Sequence, residues 1–232
     1  MTTPADLPMD DDLFIDGEAR PLPKPKGDLI HRRMYDVQVY REALNRMRLR
    51  GTVTDRKPAG TYFEDASGPL TIHHMVVDLV VDFPTMEIVE AEVLLETLPH
   101  AGCRTIEPHY NQLVGMSIAR GFSKRVRELF GGPRGCTHTT ALLLAMAPAA
   151  IQATWSMRKL SETSEQVAPP LPVKPTPEQL RHHFAFNINT CHIWAEDGVN
   201  ITAVTNGEPL DPPLWASRRL EKLGRDPSEW GS

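Results

Sequence analysis

A cysteine and a histidine lie two residues apart in one short stretch of the chain, Gly135–His138. Cys136 and His138 directly precede a long apolar segment that we predict to be a helix. The N-terminus of a helix stabilises anions, including a thiolate. Cys136 is therefore a candidate nucleophile or metal ligand. A small buried cysteine beside a helix-capping histidine would give the same pattern.

His73 falls on the apolar face of a predicted strand. In this segment the odd-numbered residues from Met75 to Phe83 are apolar and share a face with His73, whereas His74 points the other way. A histidine on a core face needs partners for both ring nitrogens, and a metal or a carboxylate can supply one of them. A satisfied core histidine is the alternative.

Cys191 and His192 repeat the combination near the C-terminus. The even-numbered residues between Phe184 and Trp194 are mostly apolar, which places His192 inward and Cys191 on the opposite face. We therefore predict a metal site with four ligands and two possible substitutes. The four ligands are His73, Cys136, His138 and His192, and the substitutes are Cys191 and Cys103.

Other polar residues could complete an active site. Glu107 and Tyr110 follow Cys103 closely and, with Cys136, are the candidate catalytic groups. Arg32 and Arg33 could bind an anionic substrate. Packing or an exposed surface position would also explain each of these residues.

Composition excludes several classes of protein. The 232 residues include 25 Lys and Arg against 30 Asp and Glu, a formal charge of −5, which disfavours binding to nucleic acid. No apolar run reaches the roughly 20 residues that span a bilayer, and the acidic N-terminus lacks the apolar core of a secretory signal. Three widely spaced cysteines do not form a disulfide framework. We expect a cytoplasmic protein that binds neither membrane nor nucleic acid.

Hydrophobic periodicity predicts an α+β fold. Period-two alternation indicates strands at 29–40, 45–56, 70–83 and 86–97, and their short connections favour an antiparallel β-meander. Three helices should pack against it, the first from Glu107-Pro108, the second over 117–130 and the third over 136–160, with a kink or break at Pro148. A C-terminal β-hairpin over 184–195 and 199–204 and a short helix over 214–223 complete the prediction.

The expected organisation is one domain with two flanking segments. Residues 1–27 should form an extended or disordered tail, and 28–205 a single α+β domain that contains a Pro-rich loop at 161–178. Residues 206–232 should be a C-terminal extension with a short helix. An exposed edge strand would permit a homodimer.

Several motifs together resemble those of the bacterial DUF2889 family, over about residues 28–205. They are Ile30-His31-Arg32-Arg33, Ile72-His73-His74-Met75, Cys103, Tyr110-x-x-Leu113-Val114-Gly115, Gly135-Cys136-Thr137-His138 and Cys191-His192. The family name records an undefined function, so the resemblance implies motif positions and no reaction. His74 stands where the family usually has an acidic residue.

These observations favour a metal-dependent enzyme that acts on a small organic carbonyl or carboxylate compound, an aromatic one included. Mixed cysteine and histidine ligands suit zinc first and iron second, and the reaction would be hydrolysis or carbon–carbon bond cleavage. One alternative is a non-catalytic accessory or binding protein stabilised by the metal. Another is a metal-free enzyme with Cys136 as nucleophile. A redox cysteine pair ranks last because no Cys-x-x-Cys motif occurs.

Overall fold

A four-stranded antiparallel sheet, with strand order β1-β2-β3-β4, forms the centre of the protein. The computed structural model describes residues 25–161, 176–185 and 187–230. The strands are β1 (Arg32–Ala43), β2 (Arg46–Lys57), β3 (Leu70–Asp82) and β4 (Glu87–Thr97). The predicted meander and the α+β class are confirmed.

The period-two alternation gives β2 one core face and one outer face. Met47, Leu49 and Val53 are completely buried. The intervening Arg48 and Arg50 lie on the outer face, where both donate hydrogen bonds to Asp78 of β3. Because side chains alternate strictly along a strand, the apolar residues of β2 define the face on which the helices must pack.

Helices cover this core face. A 3₁₀ segment, Ala101–Leu113, packs against β4, and α2 (Thr137–Ser161) packs across β1, β2 and β3. The helix α1 (Phe122–Phe130) packs in turn on α2. Leu142, Leu143 and Met146 of α2 are fully buried in the shared core.

The first two predicted helices differ in detail from the observed segments. The first is a 3₁₀ segment that begins six residues before Glu107 and contains Pro108 in its interior. The second begins at Phe122 instead of Ser117, because Ser117 forms an isolated bridge with Glu87 and Gly121 adopts a left-handed conformation. The third agrees with the prediction, except that α2 continues through Pro148 without a break.

One stretch within the described residues, Thr137–Leu160 of α2, is long and apolar enough to cross a membrane by length and composition alone. Leu142, Leu143 and Met146 in this stretch are fully buried and form part of the core. Packing in the core thus accounts for part of the apolar character of α2, since 33% of this window is buried.

The predicted C-terminal hairpin is wrong. The described residues of its first predicted strand form turns and a 3₁₀ turn, His192–Trp194, and the helix α4 (Val199–Asn206) replaces the second. Ile201 and Val204 are both buried and three residues apart, which is helical spacing, and Gly207 ends α4 in the left-handed conformation.

Two further helices, α3 (Pro177–His183) and α5 (Leu214–Lys222), complete the C-terminal part. The helix α5 confirms the short terminal helix that was predicted. The helix α3 begins inside the segment predicted as a Pro-rich loop, where Thr176 and Gln179 form a reciprocal capping box. Residues 162–175 of that loop, and residues 1–24 of the predicted tail, lie outside the described residues.

Gly51 of β2 lies in close contact with α2. A Cβ atom at this position would lie 2.6 Å from Sδ of Met146 and 3.1 Å from Cδ1 of Leu142. We expect Gly51→Val to lower the free energy of unfolding by about 1–3 kcal/mol through overpacking, measured by urea denaturation. A Cβ at Gly68 would meet no atom within 4 Å, so Gly68→Val is the matched control. Equal losses of stability in the two variants would contradict this packing.

Candidate functional site

A buried carboxylate, Asp55, lies at the centre of the site. The sheet register places Arg33 of β1 opposite Asp55, and Asp55 opposite His73 of β3. Directly opposed residues of neighbouring strands share a face, so these three side chains form a row across the core side of the sheet. The Asp55 side chain is only 1% exposed.

Four basic side chains converge on this carboxylate. Arg33 donates two parallel hydrogen bonds, from Nε to Oδ1 and from Nη2 to Oδ2, each 2.7 Å long. Nε2 of His31 lies 3.2 Å from Oδ1, and Nδ1 of His73 lies 3.0 Å from Oδ2. His138, the second residue of α2, places its Nε2 atom 3.3 Å from Oδ2.

Asp55 stays ionised, and this determines which ring nitrogen of each neighbouring histidine carries the hydrogen. The hydrogen bonds from Arg33 hold the pKa of Asp55 well below its ordinary range, against the opposing effect of burial, and His73 lowers it further. An ionised carboxylate can only accept hydrogen bonds, so the ring nitrogens that face it carry hydrogens. Nε2 of His73 and Nδ1 of His138 are then left as lone pairs.

His73 and His138 also contact each other. Their rings stack with centroids 3.8 Å apart and an interplanar angle of 29°. Burial lowers the pKa of His138, and His73 and Arg33 lower it further, while Asp55 acts in the opposite direction. The imidazole of His138 is therefore neutral near pH 7 and can bind a metal or accept a proton.

Cys136 lies on the other side of His138. Its Sγ atom is 3.7 Å from Nδ1 of His138, so the thiol, the imidazole and the carboxylate of Asp55 follow one another in a line of contacts. The backbone N–H of Cys136 donates to the phenol oxygen of Tyr110 at 2.8 Å. Burial raises the pKa of Tyr110, which keeps this phenol protonated and anchors the start of α2.

Asp55, His73 and His138 form a group that could hold a metal ion. Each offers one ligand atom, and these atoms lie within 4.8 Å of one another. Bonds of about 2.1 Å in a tetrahedral site separate neighbouring ligand atoms by about 3.4 Å. The distances from Oδ2 to Nδ1 of His73 and Nε2 of His138, 3.0 and 3.3 Å, are close to that separation. A bound ion would replace the hydrogens that these two nitrogens carry in the metal-free protein. One carboxylate and two imidazoles suit zinc or ferrous iron and leave coordination positions open.

The structure brings together two of the four predicted ligands, His73 and His138. Cys136 lies beside them, against the other ring nitrogen of His138. His192 is exposed in its 3₁₀ turn. The ring of the neighbouring Trp194 lies 5.1 Å from that of Phe184, and the ring of Phe184 lies 6.1 Å from that of Trp155 in α2. Trp155 is 17 residues, or about 25 Å, along α2 from His138. The structure therefore does not bring His192 to the group.

The remaining predicted residues lie outside the group around Asp55. Cys191 is exposed, and Cys103 is half-buried in the 3₁₀ segment, where it packs against the core. Glu107 accepts a hydrogen bond from the backbone N–H of Leu95 at 2.7 Å and so ties the 3₁₀ segment to β4. Arg32 is exposed and, by strand alternation, points away from the face of Arg33.

Sequence reasoning missed Asp55, the most important residue of the site. A signal was present, because Asp55 continues the series Met47, Leu49 and Val53 on the core face of β2. A charged residue on such a face is rarely buried unless it is paired. His31 entered the sequence analysis only within the motif Ile30-His31-Arg32-Arg33, without a role of its own.

The chain belongs to the DUF2889 family. The model of this family, described as a protein of unknown function, matches residues 31–152, which is more than half of the chain. The match includes His31, Asp55, His73, Cys136 and His138, and it confirms the resemblance seen in the motifs. No curated protein and no solved structure matches the chain.

The lowered pKa of His138 predicts how stability depends on pH. The unfolded chain binds a proton at His138 near the ordinary value of about 6.5, whereas the folded protein does so only at lower pH. Stability from this group is thus complete above about pH 6.5 and is lost as the pH falls through the folded value.

Urea denaturation of metal-free protein at about pH 7.5 and about pH 5.5 measures this effect. We expect lower stability at the lower pH and a smaller difference in His138→Gln. His100 is exposed, so His100→Gln should retain the full difference. An unchanged pH dependence in His138→Gln would contradict the assignment.

Proposed function

We propose that this protein is a metal-dependent enzyme whose divalent ion is held by Asp55, His73 and His138. The observation that supports the proposal best is the convergence of one carboxylate oxygen and two imidazole nitrogens within 4.8 Å of one another. Three protein ligands with an open position are typical of catalytic sites, whereas structural sites usually close the coordination with four protein ligands.

In this proposal the ion would activate water or polarise a carbonyl group at the open position. The reaction would be hydrolysis or carbon–carbon bond cleavage, with zinc as the first candidate ion and ferrous iron as the second. Cys136 is the strongest of the three candidate catalytic residues, ahead of Tyr110 and Glu107. Among these three, only Cys136 has a side-chain contact with one of the proposed ligands, His138.

The proposed substrate is a small organic carbonyl or carboxylate compound, an aromatic one included. Exposed apolar side chains occur on two segments that connect in sequence to the strands of the site. Leu29 and Ile30 directly precede His31, and Tyr62 and Phe63 lie in the loop that follows β2. A ligand with an apolar group would bury part of this surface. All three cysteines are unpaired, which fits the cytoplasm that we propose as the location.

Metal analysis of the purified protein by native mass spectrometry tests this proposal. We expect one divalent ion per chain in the wild type, and a loss of affinity of at least about tenfold in His73→Ala and in His138→Ala, since each removes a ligand. His192→Ala is the matched variant, because His192 is exposed and belongs to a different part of the fold. It should bind metal as the wild type does.

If the wild-type protein still contains no metal after incubation with zinc or ferrous iron, the proposal is contradicted. Equal affinity in the wild type, His73→Ala and His138→Ala would contradict the ligand set. A bound ion without an open position, whose removal unfolds the chain, would favour the non-catalytic accessory role.

A second candidate function is a metal-free cysteine enzyme, and the 3.7 Å contact between Cys136 and His138 favours it. Nδ1 of His138 would take the thiol proton while Sγ attacks a carbonyl carbon. The leaving group would then depart with that proton, and water would hydrolyse the resulting thioester. Asp55 would hold the imidazole in the required tautomer, as carboxylates do in related catalytic triads.

Alkylation with iodoacetamide separates the two candidates. In metal-free protein, the second candidate predicts that Cys136 reacts faster than Cys191, although Cys191 is the more exposed thiol. It also predicts that His138→Gln slows the reaction of Cys136 by at least about tenfold. Peptide mass spectrometry gives the rate at each cysteine. Faster labelling of Cys191 than of Cys136, unaffected by His138→Gln, would exclude this candidate.

A further inference from the structure

We infer that the substrate binds this centre as an anion, with a carboxylate or enolate oxygen at the open metal position and Arg33 supplying part of the positive charge. This inference rests on the proposed metal-dependent function. It is carried by the charge balance of the side chains around Asp55.

The only carboxylate in the ligand group is already paired. Arg33 donates a hydrogen bond of 2.7 Å to each oxygen of Asp55, which is the geometry of a bidentate ion pair. Within the described residues, the group contains no second carboxylate. His31, His73 and His138 add no negative charge. A divalent ion bound here would therefore keep both of its positive charges uncompensated by protein ligands.

Such a charge is unfavourable in a site whose side chains are largely buried. Asp55 is almost fully buried, and the side chains of His73 and His138 are only 16% and 20% exposed. Burying an uncompensated charge costs several kcal/mol, so an anionic ligand at the open position would be strongly favoured over a neutral one of the same shape. The N-terminus of α2, where His138 lies, adds further positive potential.

This charge balance distinguishes the site from one in which the carboxylate ligand is unpaired. An unpaired carboxylate would cancel one charge of the ion, and the preference for an anion would be weaker. Arg33 therefore favours anion binding indirectly, because it neutralises the charge of Asp55 and adds to the local positive potential. About a third of its side chain is exposed, so solvent screens part of the effect.

Benzoate and benzamide provide a matched pair of probes. They share shape and an aromatic ring, but only benzoate is charged at neutral pH. Protein loaded with Co²⁺ is titrated with each compound, and the visible absorption of the ion reports binding at an open position. We expect benzoate to bind at least about tenfold more tightly than benzamide.

Arg33→Leu should reduce this preference by at least about threefold, because the unpaired Asp55 would then cancel one charge of the ion. Arg46→Leu is the control, since Arg46 is an exposed residue at the opposite end of β2. It should leave the preference unchanged. The comparison of the two probes on wild-type protein needs no variant, so it remains decisive if Arg33→Leu fails to fold.

The outcomes separate this inference from the function on which it rests. Protein that takes up no Co²⁺ overturns both. Protein that binds Co²⁺ through His73 and His138 but binds benzamide as tightly as benzoate overturns the inference and leaves the proposed metal site standing.

Discussion

The ion pair between Asp55 and Arg33 is the interaction on which the site depends. Removing a carboxylate from water costs several kcal/mol unless charge and hydrogen bonds replace the lost hydration. Arg33 supplies two hydrogen bonds and a full positive charge, and three histidines approach the same two oxygens. The carboxylate stays ionised as a result. It can therefore orient every ring that contacts it, whether the site holds a metal or activates a thiol.

The fold positions the residues of the site by aligning three strands and one helix. Cross-strand register brings Arg33, Asp55 and His73 into one row, and the first turn of α2 delivers His138 above it. The position of α2 is fixed at its centre by close packing of Met146 over Gly51. It is fixed at its start by the hydrogen bond between Tyr110 and the backbone of Cys136. Residues distant from the chemistry thus set the geometry of the site.

The sequence alone allowed the sheet, the central helix and the family to be predicted, because their signals are strong and local. Period-two alternation identified β2 and β3, and it placed His73 on the core face. The prediction failed where tertiary contacts decide. The aromatic residues between Phe184 and Trp194 alternate as in a strand, yet in the structure Phe184 packs on Trp155 of α2. His192 was drawn into the predicted ligand set by that misread alternation.

Two features of the site could not be obtained from periodicity. A register shift between Asp55 and Arg56 means that strand pairing cannot be extended by counting from the turn, so the partner of Asp55 was not predictable. The distance between His73 and His138 depends on how α2 lies across the sheet, which no local pattern encodes. The sequence indicates Asp55 as a charged residue on a core face, but it does not predict which residues pair with it.

Nuclear magnetic resonance of the histidine rings tests the central claim most directly. Long-range ¹H–¹⁵N correlations report which ring nitrogen carries the hydrogen in metal-free protein at about pH 7.5, where imidazoles are mostly neutral. An ionised Asp55 at the hub predicts the hydrogen on Nδ1 of His73, and on Nε2 of His31 and of His138. If His73 instead carries its hydrogen on Nε2, or if the two nitrogens of each ring give averaged signals, Asp55 does not organise this site.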